Sequence, residues 1–375
     1  ALEMDFGGEL LLHGYTVEGN TITLAWQAEH TIGVPYGMNV RLTDDDGLIW
    51  SDTNIQRPRD WRFFPGTDFW PTDKFIYDSY VLRPLLGAPP GPYHVEVIVY
   101  RADTLQALSV QRIGEYVIAR PANEPLAIPL ADFDGVALLS VESDRAQANP
   151  GDPYRLTLLW QAAKSGLRDQ SVRLDLVDGA GKSFHTITAS VAPGYPPAQW
   201  KTGDVLRQEF FLRLPAGLPQ GELTWQVNGV PAIGVGVNGL TRSFTIPAVG
   251  RQVYVDVGDS VTLVGYNARV SDRQINIDLV WQARAETAES YRVFLHLLDA
   301  EGTLVSQSDG EPATWSRPTS GWLAGEVVID SRALTAPGPG EYTLVAGMVN
   351  EAGERLAAAG WPEGAIRLGV ITIAP

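Results

Sequence analysis

The feature that most constrains the fold of this chain is the tripeptide Trp-Gln-Ala, which occurs three times. Its tryptophans are Trp26, Trp160 and Trp281. Each one ends a segment in which apolar residues alternate with other residues, and a period of two is typical of a half-buried β-strand. Because repetition of this kind indicates tandem modules, we expect three related units, each with its tryptophan on the inner face of a strand.

A second alternating segment follows each tryptophan at the same distance. Its inward positions are Met38, Val40 and Leu42 in the first copy, Val172, Leu174 and Leu176 in the second, and Val293, Leu295 and Leu297 in the third. A glycine then stands at an equal spacing in all three copies, as Gly47, Gly181 or Gly302, shortly after an acidic residue. This combination predicts a tight connection between strands, with positive φ at the glycine.

The correspondence continues more loosely toward the end of each copy. The segment Trp200-Lys-Thr-Gly-Asp204 matches Trp322-Leu-Ala-Gly-Glu326, and Trp70-Pro-Thr is a distorted counterpart in the first copy. Short alternating strands separated by turn residues, without a convincing amphipathic helix, predict an all-β fold of three tandem immunoglobulin-like or fibronectin-like β-sandwiches. The expected domains are residues 1–120, with an aromatic-rich insertion, the divergent residues 121–248, and residues 249–375.

Composition limits the partners. The chain has 375 residues and a formal net charge of -16, which repels nucleic acid. It contains no cysteine, which excludes disulfides and thiolate chemistry. No apolar run is long enough to span a bilayer, so we expect no direct membrane insertion of this segment.

The third copy also resembles a known group of modules. The motifs that carry the resemblance are Leu-Val-Gly-Tyr266, Val-Trp281-Gln-Ala, Tyr291-Arg-Val-Phe-Leu-His296-Leu-Leu-Asp299, Gln307-Ser-Asp309-Gly-Glu-Pro312, Pro318-Thr-Ser-Gly-Trp322 and Pro339-Gly-Glu-Tyr342. It is similar to β-sandwich modules in the extracytoplasmic C-terminal regions of bacterial, Chloroflexi-type membrane glycosyltransferase-like proteins. The resemblance implies a sandwich fold and a location outside the cytoplasm, at the cell surface or secreted. It supplies no catalytic residues.

One aromatic cluster is the candidate ligand site. Trp61, Phe63, Phe64, Phe69 and Trp70 follow no strand period and lie among Pro and Gly residues in a lengthened part of the first copy. Aromatic rings that cannot all face inward can stack on sugar rings or contact a protein partner. The alternative is that they close one end of the first sandwich or pack against the second.

Other candidate sites are weaker. Asp44, Asp45 and Asp46 offer the hard oxygen atoms that calcium prefers, but they lack the spacing of a calcium loop, so we interpret them as an acidic β-turn. The five histidines have no metal-ligand spacing, and His94 and His296 fall at outward positions of strands. Nothing nominates a nucleophile, a carboxylate pair, a metal site or a cofactor site.

Three functions stay open at this point. The leading hypothesis is an extracytoplasmic, non-catalytic accessory or binding array for a glycan or a cell-surface protein. The second is a structural spacer or scaffold in a larger membrane-anchored glycosyltransferase-like protein. The third is a cryptic glycoside hydrolase, which would need two carboxyl groups about 5 to 10 Å apart in a cleft.

Overall fold

A computed structural model describes residues 3–51, 66–120 and 126–374 of the chain. Within those ranges the regular structure consists of strands and three short 3-10 turns, Thr67–Phe69, Pro197–Gln199 and Thr319–Gly321. The predicted all-β fold class is therefore confirmed. None of the described helices is long and apolar enough to cross a membrane.

The first part of the chain forms two sheets with a common core. The strands are β1 (Met4–Phe6), β2 (Leu10–Glu18), β3 (Thr21–Ala28), β4 (Tyr36–Thr43), β5 (Ile76–Val81), β6 (Gly91–Arg101) and β7 (Ala107–Ile118). One sheet has the order β1-β2-β3-β5 and the other has the order β4-β6-β7. Alternate residues of both sheets form one core, because the period-two pattern sends every second side chain inward.

The middle part of the chain contains a four-stranded and a five-stranded sheet. The strands are β8 (Ala131–Phe133), β9 (Val136–Ser143), β10 (Gln147–Ala148), β11 (Pro153–Ala162), β12 (Ser171–Val177), β13 (Ser183–Ser190), β14 (Val205–Arg213), β15 (Gly221–Val227) and β16 (Val230–Val237). The orders are β14-β11-β9-β8 and β10-β16-β15-β12-β13. The short β10 pairs with β16 in parallel.

The last part again forms two four-stranded sheets around one core. The strands are β17 (Arg251–Val257), β18 (Val261–Ser271), β19 (Gln274–Ala283), β20 (Arg292–Leu298), β21 (Leu304–Gly310), β22 (Val327–Thr335), β23 (Gly340–Val349) and β24 (Ile366–Ile373). The orders are β17-β18-β19-β22 and β21-β20-β23-β24. Their inward residues belong to a single apolar cluster, as expected for a sandwich.

The backbone forms two compact units. The first comprises Ala1–Ser140, Leu159–Gln170 and Val191–Gln208, and the second comprises Val141–Leu158, Ser171–Ser190 and Glu209–Pro375. Some limits of these units fall inside β9, β11 and β14, and none coincides with the expected domain boundaries near residues 120 and 249. The division into three domains stays a prediction.

The repeated tryptophans are core residues, as the sequence predicts. Trp26, Trp160 and Trp281 are fully buried. Trp26 lies opposite Leu12 in the sheet and Trp281 lies opposite Leu263, so the first and third copies share one register. Trp160 donates a hydrogen bond from Nε1 to Gln208 Oε1 over 3.1 Å.

The repeated glycines also behave as predicted. Gly47, Gly181 and Gly302 have φ values of 81°, 82° and 83°. In each turn the glycine N–H donates to the carbonyl of an aspartate three residues earlier, and that aspartate's carboxylate accepts a second backbone N–H. The equal geometry shows that the acidic residue and the glycine form one repeated turn.

The later tryptophans are also equivalent. Trp70, Trp200 and Trp322 each end one of the 3-10 turns and donate their backbone N–H to its first residue. All three are buried, with exposed fractions of 5%, 2% and 1%. The 3-10 turn directs the ring into the core, so Trp70 is the counterpart of two core residues despite its altered surroundings.

Two buried acids follow the second and third of these tryptophans. Asp204 accepts a hydrogen bond from Lys201 N and pairs with Arg120 over 2.7 Å. Glu326 accepts the equivalent bond from Leu323 N and pairs with Arg242. In both cases the arginine precedes the acid by 84 residues, so the pairing is part of the repeat.

Glu326 differs from Asp204 because it holds a second guanidinium. Arg317 also pairs with its carboxylate, which is fully buried. Arg242 in addition donates to the carbonyls of Gly321 and Ala216. One carboxylate therefore ties together three separate segments of the second compact unit.

Candidate functional site

A cleft that brings together aromatic and charged side chains lies on the outer face of the sheet β21-β20-β23-β24. Val293, Leu295 and Leu297 of β20 are completely buried in the core. Because successive side chains of a strand point to opposite faces, Arg292, Phe294 and His296 point outward. The predicted outward orientation of His296 is confirmed by this alternation.

The pairing of the strands places two arginines in one row across this face of the sheet. Arg292 lies opposite Val349 in β23, and Val349 in turn forms a bridge with Arg355. Residues directly opposite in a sheet point to the same side. Both guanidinium groups are therefore carried on one face, on either side of Val349.

Phe294, two residues after Arg292 on β20, forms the floor of the site. It lies opposite Asp309 on one side and Gly347 on the other. A Cβ atom at Gly347 would lie 2.7 Å from Cε1 of Phe294, so the missing side chain leaves room for the ring. The Arg355 guanidinium lies 5.0 Å from the ring centroid, which is a cation-π contact that holds this arginine over the floor.

His296 lies beside this floor. Its ring centroid is 5.0 Å from that of Phe294, in a tilted arrangement. Nε2 approaches Asp309 Oδ1 to 3.4 Å, which is ion-pair range, but the two atoms are not aligned as a hydrogen bond. The histidine therefore supports Phe294 by packing and stands within the field of one carboxylate.

Trp315 forms a wall of the site. It is 59% exposed, although tryptophan is usually buried to a large extent. A Cβ atom at Gly310 would lie 2.8 Å from Trp315 Nε1, so the indole packs closely over the backbone of Gly310. The ring is consequently held against the end of β21 while much of its surface faces solvent.

The loop that carries Trp315 has an unusual backbone. Ala313, Thr314 and Trp315 have consecutive φ values of 51°, 56° and 67°. Left-handed conformations of residues other than glycine cost of order 1 to 2 kcal/mol each and rarely occur in succession. Such a conformation persists only where the surrounding structure determines it strongly.

A buried ion pair on β22 holds the loop in this conformation. Asp330 is fully buried, accepts the backbone N–H of Ala313 over 2.9 Å, and pairs with Arg332 over 2.7 Å. The Arg332 guanidinium donates to the carbonyls of Ser308 and Gly310, each over 2.9 Å. The pair thus fixes both the end of β21 and the start of the Trp315 loop.

Together these residues line a cleft of about 320 Å³. Its lining residues are Arg292, Val293, Phe294, His296, Asp309, Gly310, Trp315, Val349, Gly353 and Arg355. This volume is at the lower end of the range for small-molecule sites, roughly 300 to 1,000 Å³. The lining combines the exposed indole of Trp315 and the buried ring of Phe294 with two arginines, a histidine and an aspartate.

The aromatic cluster predicted from the sequence is only partly described by the structure. Trp61, Phe63 and Phe64 lie outside the described residues. Phe69 is 70% exposed at the end of its 3-10 turn. Trp70 is buried in the core of the first sandwich, where its ring packs among apolar residues, so it does not offer the exposed face that the prediction of a ligand-binding ring requires.

The acidic turn uses its carboxylates internally. Asp44 accepts hydrogen bonds from Leu48 N and Trp50 Nε1 over 2.9 and 2.7 Å. Asp45 approaches His94 Nε2 to 2.8 Å. The β-turn interpretation is confirmed for Asp44, and the expectation that the turn holds no ion stays a prediction.

Trp315 and Arg355 were not among the site residues predicted from the sequence. Trp315 lies between Pro312 and Pro318, in a segment without strand periodicity. The same lack of periodicity that marks the aromatic stretch of the first copy is therefore a signal for Trp315 as well. No local signal marks Arg355, which reaches the cleft only through the bridge to Val349.

Comparison with known proteins does not assign this chain to a family. No protein-family model matches the chain, and no curated protein matches it in sequence. Solved structures that match include a mutant of Salmonella alpha-2-macroglobulin, with 13% identity over 98% of this chain and 21% of that chain at a TM-score of 0.20. The native conformation of E. coli alpha-2-macroglobulin matches with 11% identity over 92% and 19% of the two chains, also at 0.20.

Dimeric latent PorU from Porphyromonas gingivalis matches with 10% identity, over 98% of this chain and 34% of that chain, at a TM-score of 0.22. This chain thus spans about a fifth of the length of the two macroglobulins and about a third of that of PorU. Because these TM-scores are so low, the fold is assigned from the sheets of this chain alone.

Proposed function

We propose that the chain is a non-catalytic binding array of β-sandwiches and that the cleft lined by Phe294, Trp315 and Arg355 is its saccharide-binding site. The observation that carries the proposal is the exposed indole of Trp315, held in place by a strained loop and a buried ion pair. An indole face suits the CH face of a sugar ring, and nearby polar groups can bind its hydroxyls.

The charged groups of the cleft support binding without catalysis. Hydrolysis of a glycosidic bond uses a pair of carboxyl groups that flank it. Among the described lining residues Asp309 is the one carboxylate, and its Oδ1 lies near His296. The proposal therefore assigns recognition, and no reaction, to this cleft.

The cellular context belongs to the same proposal. The motifs of the third copy resemble extracytoplasmic modules of membrane glycosyltransferase-like proteins, and the cleft lies in that copy. A saccharide site on an accessory region would hold a glycan near such an enzyme. We accordingly place the array outside the cytoplasm, as part of a larger membrane-anchored protein.

The test is calorimetric titration of an oligosaccharide panel against the wild-type chain and against Trp315→Ala. Loss of a stacked aromatic removes about 1 to 2 kcal/mol of binding energy, so we expect binding to weaken by roughly tenfold. Phe211→Ala is the matched control, because Phe211 is also exposed, at 66%, and lies outside the cleft.

A third variant separates the two candidate sites. Phe69→Ala changes the exposed described member of the aromatic cluster in the first copy and should leave binding unchanged. Weakened binding by Phe69→Ala together with normal binding by Trp315→Ala would move the site to the first copy. Absence of binding to every saccharide would reject the function and favour the spacer hypothesis.

A further inference from the structure

The geometry points to an acidic saccharide as the ligand of this cleft, with a carboxylate or sulfate group on the sugar held between Arg292 and Arg355. This inference rests on the proposed function and narrows it from saccharides in general to those that carry an oxyanion. Neither guanidinium forms an ion pair with a carboxylate of the described residues. Both are exposed at the cleft.

The spacing of the strands sets the distance between the two arginines. Arg292, Val349 and Arg355 are consecutive across the sheet, and neighbouring strands lie about 4.8 Å apart, so the two arginine Cα atoms are separated by roughly 10 Å. Long side chains on either side of a small apolar residue can converge on one group above it. A guanidinium presents paired N–H donors that match the oxygens of a carboxylate or sulfate.

The anchoring of Arg355 strengthens this assignment. Its guanidinium already lies over the ring of Phe294, so less side-chain entropy is lost when it binds an anion. The backbones of the two arginines flank Val349, and the Arg355 guanidinium reaches over Phe294, the residue opposite Asp309. An acidic sugar would place its anionic group between the two guanidinium groups and its ring toward Trp315.

The local charge is opposite to that of the whole chain. The chain carries a net charge of -16, whereas the cleft is lined by two arginines and a single aspartate. The net negative charge of the chain does not attract anions over long distances. Selection of an anion therefore depends on direct contact with the two arginines. Binding should consequently be weaker at high salt, where charge-assisted contacts are screened.

The experiment compares matched ligands that differ in one group. Disaccharides that contain a glucuronate or galacturonate residue, their carboxyl-reduced neutral counterparts, and sulfated neutral disaccharides are titrated at low and high salt. We expect the uronates to bind at least tenfold more tightly than the reduced forms. Preference for the sulfated sugars instead would identify sulfate as the oxyanion source.

Variants connect the preference to the two arginines. Arg292→Met and Arg355→Met keep most of the apolar stem and should each weaken binding of the acidic sugar about tenfold, with little effect on the neutral form. Arg367→Met is the matched control, because Arg367 lies opposite Val345 on the same face and outside the cleft lining. It changes the net charge equally and should have no effect.

The outcomes distinguish the two proposals. Equal binding of acidic and neutral sugars that depends on Trp315 would overturn the acidic preference and retain the saccharide site. An equal loss in Arg367→Met would show that overall charge, and not this pair, is responsible. If no sugar binds, both proposals fail.

Discussion

Replacement of Glu326 by alanine should destabilise the second compact unit strongly. The carboxylate is fully buried, and its partners Arg242 and Arg317 have side chains that are only 15% and 18% exposed. Removing one partner of a buried ion pair typically costs about 3 to 5 kcal/mol, because the remaining charge is left unpaired. Here two guanidinium groups would be left facing each other, and Leu323 N would lose its acceptor.

The repeat offers an internal comparison for this magnitude. Asp204 is 6% exposed and pairs with Arg120, whose side chain is 28% exposed. Since one better-solvated charge is left behind there, we expect Asp204→Ala to cost less, about 2 to 3 kcal/mol. Glu326→Gln keeps the shape and a hydrogen-bond acceptor, so its effect should fall between wild type and Glu326→Ala.

Scanning calorimetry and urea unfolding of the full chain measure these effects. We expect Glu326→Ala to lower the melting temperature of the affected transition by about 10 °C, given roughly 2 to 4 °C per kcal/mol for a unit of this size. Glu301→Ala removes an acid from an exposed turn and serves as the control. A Glu326→Ala variant within about 0.5 kcal/mol of wild type, the range of ordinary surface substitutions, would refute the reasoning.

Three further predictions concern other parts of the chain. Trp281→Ala should cost about 3 to 5 kcal/mol because it empties a fully buried core site, and an unchanged thermal melt would contradict this burial. Melting curves recorded with calcium and with a chelator should coincide, since the Asp44 carboxylate already accepts hydrogen bonds within its turn, and a rise with calcium would show an ion site at Asp44–Asp46. Burial alone would raise the pKa of Glu96, but hydrogen bonds from Arg41 and Arg112 outweigh it and lower the pKa below the ordinary value of 4.5. Its stabilising contribution should therefore be present above that ordinary value and be lost as the pH falls through the lowered pKa, so Glu96→Gln should flatten the acid side of the stability profile.

Much of the fold could be predicted because the repeat encodes it locally. The buried positions of Trp26, Trp160 and Trp281 follow from alternation along single strands. The positive φ of Gly47 and its counterparts follows from the chemistry of a tight turn. Both are short-range properties that neighbouring residues determine.

The cleft around Trp315 was not predicted from the sequence, because exposure of an aromatic residue is not a local property. Trp70 and Trp315 both lie in irregular segments rich in proline, yet one is in a core and the other faces solvent. For Trp70 the deciding factor is a 3-10 turn shared with Trp200. For Trp315 it is a run of left-handed residues that no propensity would predict.

The sequence by itself determined which side of each strand faces inward, because a period of two converts residue spacing directly into a face of a sheet. It therefore specified that Arg292, Phe294 and His296 point outward. Only the tertiary structure decided what these outward residues meet, because their neighbours depend on the order of strands that are distant in sequence. The pairing of β20 with β23 and the hydrogen bonds that link Asp330 and Arg332 of β22 to Ala313, Ser308 and Gly310 bring the cleft together, and each of these contacts joins separate segments of the chain.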